Sequence, residues 1–138
     1  MSLRGGRTTG RRDAWEVRPR WRLSRGVTIA LGPGKADLLE AIDRTGSISA
    51  GARAMGMSYR RAWLLVDTMN RSFLRPLVTT SRWRGEGASL TPEGKRVLRL
   101  YRGLETRSLT TGRAVLAELQ KLLRSTRAES ARSRSGRD

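Results

Sequence analysis

The chain has 138 residues, 29 Lys+Arg against 12 Asp+Glu, a formal charge of +17, and neither cysteine nor histidine. That length fits one domain with tails. The missing residue types exclude disulfides, thiol or imidazole catalysis and nearly every zinc or iron site. The charge favours a polyanionic partner: DNA, RNA or an anionic membrane surface.

Residues 1–14 are largely Gly, Arg and Thr with almost nothing to bury, and the stretch 1–15 reads as a disordered basic arm. Trp21 and Leu23 alternate with polar neighbours, Arg25-Gly26 can turn, and Val27, Ile29 and Leu31 alternate again, which predicts one or two short strands. Pro33 suits the first turn of a helix carrying Leu38, Leu39 and Ile42, stopped by Thr45-Gly46. Asp37, Glu40 and Asp43 on that helix read as a solvated acidic face. Ser47 caps a short second helix over 48–55. Gly56-Met57-Ser58 then breaks the chain, and Ser58 caps a third helix to about Arg71, with Ala62, Leu65, Val66 and Met69 on its buried stripe.

Pro76–Thr80 and Ala88–Leu90 are β-like, and between them Arg82 and Arg84 would form a basic hairpin tip. Thr91-Pro92-Glu93 opens a long helix, with Thr as cap, Pro at the first position and an acid near the positive dipole end. It carries Val97, Leu100, Tyr101, Leu104, Val115, Leu119 and Leu122, with a weak spot at Thr110-Thr111-Gly112. Residues 124–138 lose all periodicity and read as a disordered basic tail.

This order predicts a mainly α fold with a small β wing: a winged helix-turn-helix over residues 16–105 plus a long C-terminal helix continuing over 106–123. Ala52 and Gly51 would supply the small residues where the second and third helices touch, Gly56 the corner, and Met55, Met57 and Leu65 the wedge. Such a unit places the N-terminal residues of its third helix against base edges in the major groove. Here those are Tyr59, Arg60 and Arg61, with Ser58 before them and Trp63, Leu64 and Asp67 following on the helix. Arginine's planar fork matches guanine O6 and N7, each bidentate pair discriminating by about 1–3 kcal/mol. Ser47, Ser49, Arg82 and Arg84 complete the candidate DNA-facing set. Tyr59 is equally suited to packing on the second helix, and Trp63 reads first as a half-buried packing residue rather than a base stacker. Val97, Leu100, Tyr101, Leu104, Val115, Leu119 and Leu122 form the candidate dimer interface.

The stretch LGPGKADLLEAIDRTGSISAGARAMGMSYRRAWLLVDTMNRSF, followed by RPLV and LTPEGKRVLRLY, resembles the N-terminal domain of the molybdate-responsive ModE regulators, a LysR-like winged helix-turn-helix. The resemblance covers about residues 20–105. It implies a bacterial transcription regulator that dimerises through its long helix and binds a palindromic operator, with Ser58, Tyr59, Arg60, Arg61 and Trp63 at the matching positions. Relatives of that kind continue into oxyanion-binding β domains. None is expected within these 138 residues, so the resemblance implies DNA binding and does not extend to molybdate sensing.

The expectation is therefore a sequence-specific, homodimeric regulator of double-stranded DNA, with no cofactor and no metal. A non-specific nucleic-acid binder acting through its charge is the alternative, and a module recruiting an acidic protein is a third class. Catalysis is not expected, since no carboxylates cluster in a plausible pocket. No apolar run approaches the ~20 residues of a membrane span, and no signal peptide is recognisable, so a cytoplasmic location is expected.

Overall fold

Val27 and Gly26 make the first turn, Gly26 taking a φ of 58° that favours glycine. Around it β1 (Leu23–Arg25) pairs antiparallel with β2 (Thr28–Leu31), with an irregularity between Leu23 and Ser24. This is a computed structural model, describing residues 15–81 and 87–124. Apart from Trp15 and Arg124, the expected arm over 1–15 and tail over 124–138 lie outside the described residues, as does the hairpin tip with Arg82 and Arg84.

Three helices follow: α1 (Pro33–Thr45), α2 (Ile48–Ala54) and α3 (Tyr59–Ser72). α1 starts on Pro33 and ends at Gly46, whose φ of 76° lets its N–H return to Ile42 O at 2.8 Å. Ser47 Oγ accepts from Ala50 N at 2.9 Å, and Ser58 Oγ accepts from Arg61 N at 3.1 Å, so both expected caps are formed. α2 stops at Ala54, one residue short of the expected end, because Met55 already leads into the turn over Gly56.

A second antiparallel hairpin, β3 (Val78–Ser81) with β4 (Gly87–Leu90), is the base of the wing, in the register Val78↔Leu90 through Ser81↔Gly87. Ala88 and Leu90 point inward while Ser89 faces water. Ala88 N donates to Gly46 O at 2.8 Å, tying the wing to the end of α1. α4 (Pro92–Leu122) then runs as a single helix; Thr110, Thr111 and Gly112 do not interrupt it. Element order and pairing are those of a winged helix-turn-helix followed by a long helix, mainly α with a small β component.

The chain divides into two units. In the unit Pro19–Leu109, the largest fully buried side chains are Leu31, Leu38, Leu39, Ile42, Met69 and Leu77. Met55, Met57, Leu65, Phe73, Val97 and Leu98 pack around that core half-buried, which agrees with the wedge expected of Met55, Met57 and Leu65. Gly51 serves a different contact from the one expected. A Cβ there would stand 3.0 Å from Ile42 Cγ1 and 3.4 Å from Ile42 N, so it admits α1, not α3.

α4 joins this core at three places. Thr91 caps it by accepting from Gly94 N at 3.0 Å while donating to Pro76 O at 2.7 Å. Gly94 then lies against the backbone of Leu77, where a Cβ would fall 2.1 Å from Leu77 O; no other residue fits. Further along, Tyr101 is 3% exposed and its hydroxyl donates to Trp21 O at 2.8 Å. Tyr101 therefore belongs to the core and is not available to the dimer interface expected of it. Burial, with Glu105 nearby, pushes its phenol above the ordinary value.

The third attachment corrects the reading of the acidic face. Arg102 donates to Asp37 at 2.6 Å, to Glu40 at 3.2 and 3.3 Å, and to Glu105 at 2.9 Å. Asp37 and Glu40 thus bind α4 to α1, and only Asp43 stays in the solvent-facing role. Burial alone would lower the Arg102 guanidinium, but the hydrogen bonds it donates to Asp37, Glu105 and Glu40 outweigh that and raise the group further above its ordinary range.

The other unit contains the described residues 15–18 and 110–124. Trp15 Nε1 donates to Arg124 O at 2.8 Å, Arg18 pairs with Glu16, and Lys121 pairs with Glu118 at 3.0 Å. Val115, Leu119 and Leu122 are exposed there.

Candidate nucleic-acid interface

Gly56 has a φ of 66°, a left-handed conformation that costs a residue with a Cβ about 1–2 kcal/mol. That corner, with Met57 N returning to Ala52 O at 3.0 Å, turns the chain out of α2 and starts α3 at a fixed angle. Ser58 is extended at φ −68° and ψ 154°, and its cap satisfies one amide of the first turn. The helix then buries Ala62, Val66 and Met69, at spacings of four and three, against the core.

Burying that stripe dictates what faces out. Arg60, Leu64, Asp67 and Arg71 follow one another at four, three and four residues, opposite the buried line. Tyr59, Arg60, Arg61, Trp63 and Leu64 are all exposed, Trp63 at 47% and Leu64 at 49%. Trp63 and Tyr59 therefore leave about half of their surface to solvent, outside the core. Ser47 is half-buried at the start of α2, and Ser49 Oγ accepts from Arg53 Nη1 at 3.4 Å.

Charge is distributed unevenly along this unit. From Ser47 to Arg71 there are four arginines, Arg53, Arg60, Arg61 and Arg71, against one acid, Asp67. Asp67 pairs with Arg71 at 3.2 Å, one turn on. The two cancel at the far end of the helix and leave Arg60 and Arg61 at its start, with no ion pair among the described residues. Those cations share the helix N-terminus with the positive end of the helix dipole, so the tip offers a concentrated site for anionic groups.

Two features of this surface are not visible in local sequence patterns. Asn70, near the end of α3, accepts from Leu77 N at 2.8 Å and Val78 N at 3.1 Å and donates to Val78 O at 3.1 Å. One side-chain amide thus satisfies three backbone groups and sets where β3 leaves the helix. Thr91 does the same from the other side by holding Pro76. Asn70 and Thr91 lie six or more residues from Pro76-Leu77-Val78 in sequence, and their partners there are set by the tertiary fold.

Of the residues expected at a dimer interface, Leu100 is 62% exposed and Leu104 38%. Val97 is half-buried against the core, and Tyr101, as described, is inside it. Val115, Leu119 and Leu122 are open in the other unit. No helix among the described residues is long and apolar enough to cross a membrane.

Comparison with known proteins bears on the same residues. Residues 35–95, from α1 to the first turn of α4, match the model of the bacterial regulatory helix-turn-helix proteins of the LysR family. The chain is 42% identical over 91 residues to the molybdenum-pterin-binding protein MopB of Rhodobacter capsulatus, covering 61% of this chain and 34% of that protein. It is 41% identical over 88 residues to the molybdenum transport protein ModE of Azotobacter vinelandii, covering 62% and 33%. Over 71 residues it is 41% identical to the DNA-binding transcriptional dual regulator ModE of Escherichia coli K12, covering 50% and 27%. The chain thus spans about a third of the length of these relatives. Residues 35–95 are similar to the LysR-family helix-turn-helix domain, and the matched stretch of the chain to part of the ModE and MopB proteins.

Proposed function

We propose that this chain is a sequence-specific DNA-binding transcription regulator that acts in the cytoplasm without catalysing a reaction. In this reading α3 lies in the major groove, with Tyr59, Arg60 and Arg61 toward base edges and Ser58 and the helix start toward a phosphate. Trp63, Leu64 and Asp67 would follow along the groove wall, and Ser47 and Ser49 would meet the backbone from the start of α2. Arg82 and Arg84 would add phosphate contacts from the wing tip. Two copies would associate through the exposed apolar residues of α4, Leu100, Leu104, Val115, Leu119 and Leu122, spacing their recognition helices about 34–36 Å apart.

The observation that carries this reading is the cationic tip of α3, without an ion pair among the described residues and aimed outward by Gly56 and Ser58. The DNA-binding regulators among the relatives support it. The charge of +17 by itself would also suit a non-specific binder, and salt dependence would be steep for both. Selection from a random duplex library separates them: a regulator enriches an inverted repeat, and a general binder enriches nothing.

A further inference from the structure

We infer that Arg102 is a positioning residue, fixing the roll of α4 against α1 and thereby the half-site spacing that a dimer accepts. The inference rests on the proposed reading as a dimeric DNA-binding protein and concerns a part of the molecule that touches no DNA in it.

Within the unit Pro19–Leu109, α4 is held near its start by Gly94 on Leu77 and again at Tyr101 on Trp21. Those attachments are seven residues apart, close to two helical turns, so they fall on one line along the helix. Two points on one line fix the direction of a rod, and Val97 and Leu98, half-buried on either side of that line, limit its roll only by non-directional packing. Arg102 lies on one flank of the line, a hundred degrees round from Tyr101, and Leu100 and Leu104 lie on the other flank. Its planar fork reaches Asp37 and Glu40 on α1 while Glu105, one turn on along α4, holds it from behind.

This off-axis grip adds the directional restraint on roll that apolar packing of Val97 and Leu98 lacks. A guanidinium bound to three carboxylates has few orientations, whereas an ammonium would pivot among them. Roll matters because Leu100 and Leu104, on the opposite flank, would meet the second copy. The recognition helix of each protomer stands roughly 17 Å from the dyad if the pair spans one turn of duplex, so a change of about 10° would displace it by roughly 3 Å, near the rise of one base pair.

The experiment uses the whole chain and the half-site enriched from a random library. Affinities are measured for duplexes bearing that half-site once, and as inverted repeats with the centre spacing changed by one and two base pairs. For the unaltered protein, the best spacing should exceed its neighbours by about tenfold or more, each step being comparable to a mismatch. Arg102→Met should leave single-half-site affinity within about twofold and reduce the spacing preference to below about threefold. Arg102→Lys should restore charge but only part of the preference, and Glu40→Gln, at a half-exposed position, should give an intermediate loss. Circular dichroism confirms folding of each variant. Equal spacing preference in folded Arg102→Lys and Glu40→Gln overturns the inference alone. A loss of single-half-site affinity parallel to the loss of preference also overturns it, since that marks general destabilisation. No spacing preference in the unaltered protein removes the dimeric reading beneath it.

Discussion

Arg60 and Arg102 are the same residue type on two helices of one domain, and the fold treats them in opposite ways. Arg102 is surrounded by Asp37, Glu40 and Glu105 and is 29% exposed. Arg60, with Arg61 beside it, is exposed at the start of α3 and has no ion pair among the described residues. In a chain of +17, acids are scarce, and two of its 12 acidic groups on α1 are spent on joining α1 to α4. The comparison separates charge that holds the domain together from charge left for a partner.

Substitutions at the two sites should therefore move different observables. Replacing both Arg60 and Arg61 by Ala should weaken binding to the selected operator by about 2–6 kcal/mol, two base contacts of 1–3 kcal/mol each. Thermal stability should scarcely change, because neither side chain has an ion pair among the described residues. A titration series and a melt on the same sample check both halves.

Asn70 stands between the two regimes. Asn70→Ala leaves two amides and a carbonyl at the base of β3 without their partner and should cost about 2–3 kcal/mol of stability by denaturant unfolding. Arg102→Met should lower stability by about 1–2 kcal/mol, since its carboxylate partners on α1 are half-exposed and water replaces part of the loss. Ser58→Ala removes the cap of α3 and should cost about 1 kcal/mol.

The smallest effect is in alkaline solution. The folded-state Tyr101 phenol is raised above its ordinary value of 10.0 by burial and by Glu105, so the unfolded chain loses that proton first. Its contribution to stability is complete below pH 10 and is lost as pH rises through the higher folded-state value. Tyr101→Phe should flatten that decline in denaturant midpoints across the alkaline range, at the expense of its bond to Trp21 O.

What could be read from sequence was what is local. The stripe Ala62-Val66-Met69, the caps Ser47, Ser58 and Thr91, and the glycine at 56 each depend on residues within a turn or two, so the helix-turn-helix and its exposed tip followed from spacing. Arg102 and Asp37 are 65 residues apart, and Tyr101 and Trp21 are 80 apart. Nothing in a helical period marks such partners, so Asp37 and Glu40 looked like a wetted face and Tyr101 like part of an open stripe. Gly51 shows the same limit more finely. A small residue at a helix crossing was legible, but whether it admitted α1 or α3 depended on the packing of Ile42.

The central claim is that the free cations of α3 read sequence, beyond attracting phosphate. Competition binding tests it most directly, with the selected inverted repeat labelled and random duplex of equal length as competitor, at fixed salt. Preference for the repeat by about a thousandfold or more is the predicted result. Displacement by random duplex at equal concentration would contradict it, and would leave the chain a polyanion binder with a helix-turn-helix scaffold.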